Sequence, residues 1–174
     1  MTGFFARMPV GRFLIKGVLA WALLASVGTV SAQAEDIAFR VEIFRVDLVR
    51  GDDGEVTERL TEVDEAVAGE VIEYQVTAVN EGDIIYRPGT VVVTLPLGEG
   101  VAYLEDTATQ EEDRVLVEFS GDGGETFSEP PLLIEEDGER STVPPEAYDV
   151  IRWTFTVPFE PEQEETLVYR VEVQ

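Results

Sequence analysis

The chain has 174 residues, 44% of them hydrophobic, and its 36 acidic and 12 basic residues give a formal net charge of −24. It has no cysteine and no histidine, which excludes disulfides, zinc sites built from His or Cys, and catalysis by a histidine-based triad. The strong negative charge argues against nucleic acid and anionic lipid as partners, because both attract basic proteins.

Residues 1–34 have the three parts of a signal peptide. The basic start consists of Arg7, Arg12 and Lys16. An apolar core at 17–30 follows, and the small residues Ala-Gln-Ala at 32–34 form a cleavage site. The core is shorter than the ~20 residues of a membrane span. We therefore expect a cleaved signal peptide and export to the periplasm or the medium, without membrane insertion after cleavage.

Residues 35–174 are predicted to form a single domain. They contain all 36 acidic residues but only 9 of the 12 basic ones, so their net charge is −27. Such crowding predicts raised carboxyl pKa values, because like charges disfavour ionisation, and a fold that gains stability from added salt. The sequence stops at the end of the last predicted strand, which favours a free module over an anchored one.

Alternating apolar and polar residues predict a series of short strands. They fall at 37–49, 56–63, within 66–83, and at 90–95, 101–104, 114–119, 132–134, 150–157 and 167–173. Residues 135–146 have the composition of an exposed loop. With about seven to nine strands and no amphipathic helix, the fold class is all-β, an immunoglobulin-like antiparallel β-sandwich, with a barrel as the alternative.

The strand phase also predicts which side chains are buried. The expected core is Tyr74, Val76, Val91, Val93, Phe119, Trp153, Phe155, Leu167, Tyr169 and Val171. Within 71–80, the polar residues Glu73, Gln75 and Thr77 alternate with apolar ones and should face solvent. Within 37–49, the apolar phase shifts between Ile43 and Phe44, which predicts a β-bulge or a bend between sheets.

A set of short motifs runs through the domain in a fixed order. They are Gly69-Glu70, Tyr-Gln-Val-Thr at 74–77, Asn-Glu-Gly at 80–82, Leu95-Pro96, Gly-Val-Ala-Tyr at 100–103, and the segments 120–127, 148–153 and 167–171. In this order they resemble the bacterial "domain of unknown function eleven" repeats, which are immunoglobulin-like modules of envelope proteins, although Thr94 stands where many members have Asp. The resemblance covers most of residues 35–174. It implies an immunoglobulin-like fold and an envelope location, and it implies no activity.

Residues 120–127 (Ser-Gly-Asp-Gly-Gly-Glu-Thr-Phe) fit the Asp-box pattern, which is similar to that of sialidases and other propeller proteins. A single copy cannot form a propeller. The pattern predicts a hairpin turn in which Asp122 accepts turn amides, Gly124 takes an open backbone angle, and Phe127 packs underneath.

Clusters of acidic residues raise the question of calcium, which takes six to eight oxygen ligands. Asp52, Asp53 and Asp122 are the weak candidate ligands, because none of the clusters has the spacing of an EF-hand loop. A solvated acidic face is the simpler interpretation. Calcium is the one cofactor under consideration, and no cofactor is the primary expectation.

The missing residue types leave little for catalysis, so we expect no enzymatic activity. The primary hypothesis is an exported, non-catalytic immunoglobulin-like domain with a structural or binding role in the bacterial cell envelope. Its partner, an envelope or extracellular protein, is unknown. The alternatives are a calcium-dependent adhesion or matrix module and a glycosidase that uses two carboxylates as acid and base.

Overall fold

The computed structural model describes residues 36–111, 113–136 and 139–174, so the predicted signal peptide lies outside the described residues. Within them the chain forms ten strands. They are β1 (Ile37–Arg50), β2 (Val56–Glu62), β3 (Val71–Asn80), β4 (Val92–Pro96), β5 (Val101–Tyr103), β6 (Val115–Ser120), β7 (Leu133–Glu136), β8 (Glu139–Thr142), β9 (Val150–Phe155) and β10 (Glu164–Val173). A short 3-10 helix, Pro145–Ala147, precedes β9.

The strands form two main sheets and a small ribbon. The larger sheet has the order β2-β1-β3-β10-β5, the smaller has the order β4-β9-β6, and β7 pairs with β8. Aromatic contacts join the two main sheets: the rings of Trp153 and Tyr169 lie 5.8 Å apart, and those of Tyr103 and Phe119 lie 4.7 Å apart. All ladders are antiparallel, so the predicted all-β class is confirmed, with two sheets packed face to face.

The strand count is higher than the expected seven to nine, because 135–146 was predicted to be a loop. Instead, β8 occupies Glu139–Thr142 and pairs with β7 in a ribbon of its own. Its residues, Glu-Arg-Ser-Thr, have no apolar alternation. Backbone pairing with β7 defines this strand, and sequence periodicity does not report such pairing.

The predicted core is confirmed except at Tyr74, which is only partly buried. Trp153 is fully buried, and its indole N–H donates a hydrogen bond to the carbonyl oxygen of Thr109 at 3.0 Å. Tyr74 lies at the margin of the core, where its ring stacks on that of Tyr169 with centroids 4.8 Å apart. The alternation therefore located the interior correctly.

The predicted solvent face of β3 is wrong for two of its three residues. Glu73 is 4% exposed and Thr77 is 1% exposed. β3 is a central strand flanked by β1 and β10, so cross-strand neighbours occupy both of its sides. Thr77 shares a 3.0 Å hydrogen bond with the hydroxyl of Thr166 on β10, and Glu73 accepts hydrogen bonds from Arg170 and Gln75.

The predicted bulge in β1 is also wrong. The pairing of β1 with β3 runs without interruption through Ile43, Phe44 and Arg45, and β1 stays in one sheet. The apolar phase shifts because β1 continues to Arg50, whereas its pairing with β3 ends at Arg45. Ile43 packs against the core, whereas Leu48 lies on the part of β1 that pairs with β2 alone and is exposed.

Candidate functional site

The Asp-box segment folds into the predicted turn, and Asp122 organises it. The Ser120 hydroxyl donates to Asp122 Oδ1 at 2.8 Å, and the Thr126 backbone N–H donates to the same oxygen at 2.9 Å. The Thr126 hydroxyl donates to Oδ2 at 2.6 Å. These donors, the Thr126 side chain foremost, stabilise the charged carboxylate and lower the pKa of Asp122 to about 2. The Asp122 carboxylate therefore stabilises the turn by accepting these hydrogen bonds.

The end of the turn packs as a side-chain stack. Gly124 has φ +88°, and Phe127 lies over it, with ring atoms 3.6 Å from where a Cβ would stand. The guanidinium of Arg152 lies 3.8 Å from the Phe127 ring centroid and donates two hydrogen bonds to Glu118 Oε2, at 2.8 and 3.0 Å. A cation over an aromatic face is attractive, so this stack fixes the turn on β9.

Asp149 contacts the same turn through only one of its two carboxylate oxygens. Its Oδ2 accepts the Gly123 N–H at 2.6 Å, whereas its Oδ1 is buried and has no hydrogen-bond partner among the described residues. The residue as a whole is partly exposed.

The other two calcium candidates lie in the β1–β2 turn. Asp53 Oδ1 accepts the Glu55 N–H at 3.0 Å, and the turn is closed by the Gly51 N–H, which donates to the Glu55 carbonyl oxygen at 2.8 Å. Within the described ranges, no group of three or more acidic side chains is arranged to hold a metal ion. Calcium binding through Asp52, Asp53 or Asp122 stays a prediction.

The β1–β2 hairpin extends beyond the core and exposes large apolar side chains on a face that also carries Arg50 and Glu58. Leu48, Val56 and Leu60 lie on one face of it and are 72%, 50% and 41% exposed. We call these three residues the hairpin patch. In the described part of the chain β2 pairs with β1 alone, so its other edge offers unpaired backbone N–H and C=O groups. Exposed apolar side chains beside an open edge are typical of a protein contact surface.

Arg170 of β10 connects this hairpin to the sheet. It donates two hydrogen bonds to Glu58 of β2, at 3.0 and 2.7 Å, and one to Glu73 of β3 at 2.8 Å. Hydrogen bonds from Arg170 lower the pKa of Glu58, and the Glu58 and Glu73 carboxylates raise the pKa of Arg170. Two strands separate β2 from β10, a span of ~14 Å in a flat sheet, so the hairpin must curl toward β10.

A cleft of about 230 Å³ opens where the edge strands β5 and β6 of the two sheets come together. Its inner wall includes Tyr103, Phe119 and Tyr148, whose ring centroids lie 4.7 to 6.0 Å apart. Its mouth includes Glu105 and Asp106, both exposed. Burial raises the pKa of the Tyr103 phenol.

Sequence reasoning did not find this cleft. Its aromatic residues come from three separate segments, and strand phase gave only Phe119 a place in the core. The sequence signal near it was the Glu105-Asp106 pair, which is one of several acidic clusters. Only the tertiary fold distinguishes this pair from the others.

No family model, curated protein or solved structure matches this chain. The resemblance to the envelope repeats therefore stays a prediction. Within the part of the chain that the structure describes, no helix is long and apolar enough to cross a membrane.

Proposed function

We propose that this protein is an exported, non-catalytic immunoglobulin-like domain that binds a partner protein in the bacterial cell envelope. The observation that carries the binding role is the hairpin patch, since it combines exposed Leu48, Val56 and Leu60 with an unpaired strand edge. A chain with so much charge has ample polar surface, so three apolar residues on one exposed face need another explanation.

The immunoglobulin-like assignment is supported by the path of the chain between the sheets. The chain passes from one main sheet to the other between β3 and β4, β4 and β5, β5 and β6, and β9 and β10. Crossings of this kind are typical of immunoglobulin-like sandwiches. Export is supported by the signal-peptide pattern of 1–34, and the envelope location by the family resemblance.

Photo-crosslinking in the bacterium that encodes the protein tests the binding role. A benzophenone amino acid replaces Leu48 or Leu60 in the hairpin patch, and Ile85, which is 58% exposed outside the patch, serves as the matched control. We expect a discrete adduct with one envelope protein from the two patch positions and none from Ile85. Equal labelling at all three positions, or adducts with copies of this chain alone, would contradict the proposal.

Export is tested separately by mass spectrometry of the mature product. The expected N-terminus is Glu35, in a periplasmic or extracellular fraction. An intact chain that keeps Met1 and stays in the cytoplasm would remove the envelope from the proposal, whatever the crosslinks show.

A further inference from the structure

The cleft between β5 and β6 combines buried rings with unpaired negative charge. Tyr103 and Tyr148 are each 6% exposed and Phe119 is 1% exposed, so the rings are held in place by the core. The Tyr103 hydroxyl accepts the Ala108 N–H and the Tyr148 hydroxyl accepts the Leu132 N–H, both at 3.3 Å.

The carboxylates at the mouth have no partner within the fold. Neither Glu105 nor Asp106 forms an ion pair or a hydrogen bond with any described residue, and none of the described residues that line the cleft is basic. This contrasts with Glu58, Glu73 and Glu118, each of which is bonded to an arginine. The cleft is thus a place where negative charge is left uncompensated beside aromatic rings.

We propose that this cleft binds an organic cation, an ammonium or guanidinium group carried on an alkyl chain. Aromatic rings attract such cations electrostatically and also pack against their alkyl carbons. The two carboxylates add charge attraction at the mouth, and the net charge of −27 on residues 35–174 enriches cations around the whole molecule. An anionic ligand would be repelled by the same groups. This site is separate from the hairpin patch and does not depend on the proposed function.

The test is a titration of the full chain with organic cations at constant ionic strength, monitored by two-dimensional NMR of the backbone amides. Choline represents a free small cation, and N-acetyl-lysine and N-acetyl-arginine methylamides represent side chains of a partner protein. The Ala108 amide is a local reporter because it is bonded to the Tyr103 hydroxyl. We expect saturable millimolar binding, with the largest shifts at Ala108, Phe119 and Tyr148.

A matched pair of variants separates the site from the general charge. Glu105→Gln/Asp106→Asn removes two charges at the mouth, and Asn tolerates the φ of +60° at position 106. Asp52→Asn/Asp53→Asn removes two charges at the β1–β2 turn. We expect about tenfold weaker binding in the first variant and little change in the second. In addition, Tyr148→Phe should bind the cations more tightly than Tyr148→Leu, because it keeps the ring.

The outcomes are distinct. Saturable binding of choline alone supports the site with a free small cation as ligand, and binding of the methylamides supports it with a protein side chain. The proposal is overturned if no probe shifts the cleft amides, or if both double variants weaken binding equally, since the cations would then follow net charge alone.

Discussion

Asp122 is a surface carboxylate whose hydrogen bonds depend on its charge. Its pKa is 3.8 in the absence of partners and about 2 in the fold. A carboxyl group whose pKa is lowered by folding stabilises the fold above its unfolded pKa, and this contribution is lost as the pH falls through its folded pKa. The stabilisation that the Asp122 charge supplies is therefore complete above about pH 4 and is lost as the pH falls from about 4 to about 2.

We predict that Asp122→Asn lowers the urea midpoint at neutral pH, because an amide cannot accept from both Thr126 donors as a carboxylate does. The difference from the wild type should shrink as the pH falls from about 4 to about 2. Glu125→Gln is the control, since it removes a charge from the same turn. A difference that stays constant over this range would show that the Asp122 charge is not used by the turn.

At the scale of single residues, the sequence predicted the turn and the hydrogen bonds within it. The spacing of Ser120, Asp122, Gly124 and Thr126 identified the turn, because the hydrogen bonds among these four residues are local. It did not predict that Arg152 covers Phe127, because these residues meet only after β6 and β9 have paired.

Among the elements, β2 is joined to the rest of the sheet by its ladder with β1 and by the contact of Glu58 with Arg170. Glu73 is almost completely buried, and Arg170 is the basic residue that pairs with it and with Glu58. Removing one partner of a buried pair leaves an uncompensated charge, which is more costly than losing an exposed pair.

We therefore predict that Arg170→Leu costs about 3–5 kcal/mol in the free energy of unfolding, measured by urea denaturation at neutral pH. Glu58→Gln should cost less, because the Glu58 side chain is 50% exposed. Removing the stranded charge as well, in Arg170→Leu/Glu73→Leu, should recover much of the loss. If the double variant is no more stable than Arg170→Leu, the burial of charge is not what makes Arg170 important.

The sequence located most strands but not what lies beyond the core. Alternation is a local signal, so it found β3, β9 and β10 and their buried faces. Whether a face is covered depends on neighbouring strands, so alternation alone wrongly predicts that Glu73 faces solvent and that β1 has a bulge. Alternation does not predict the cleft either, because its lining residues come from separate segments that meet only in the folded chain.

At the scale of the whole molecule, the excess of negative charge is compensated only in part. Arginine side chains hold several carboxylates in ion pairs, which include Asp47, Glu70, Glu118 and Glu165. The expectation that crowding raises carboxyl pKa values is wrong for Asp47, Glu58 and Asp122, whose pKa values are lowered by Arg45, Arg170 and Thr126 respectively. Acidification through these lowered pKa values should therefore weaken these three contacts.

Salt also screens the negative charge that arginine cannot neutralise, since residues 35–174 hold 36 carboxylates and only 9 arginines. Their repulsion reaches ~10 Å at 0.1 M salt and ~3 Å at 1 M. Exposed ion pairs contribute only ~0–1 kcal/mol each, so screening them costs less than the relief of repulsion gains. We predict that the thermal midpoint rises between ~0.1 and ~1 M NaCl.

Two controls accompany the melts. Repeating them with a chelator removes any stabilisation by divalent cations. The variant Arg40→Gln deletes the exposed pairs with Glu42 and Glu164 and should strengthen the salt dependence. A midpoint that falls with salt would mean that local ion pairs outweigh the net repulsion.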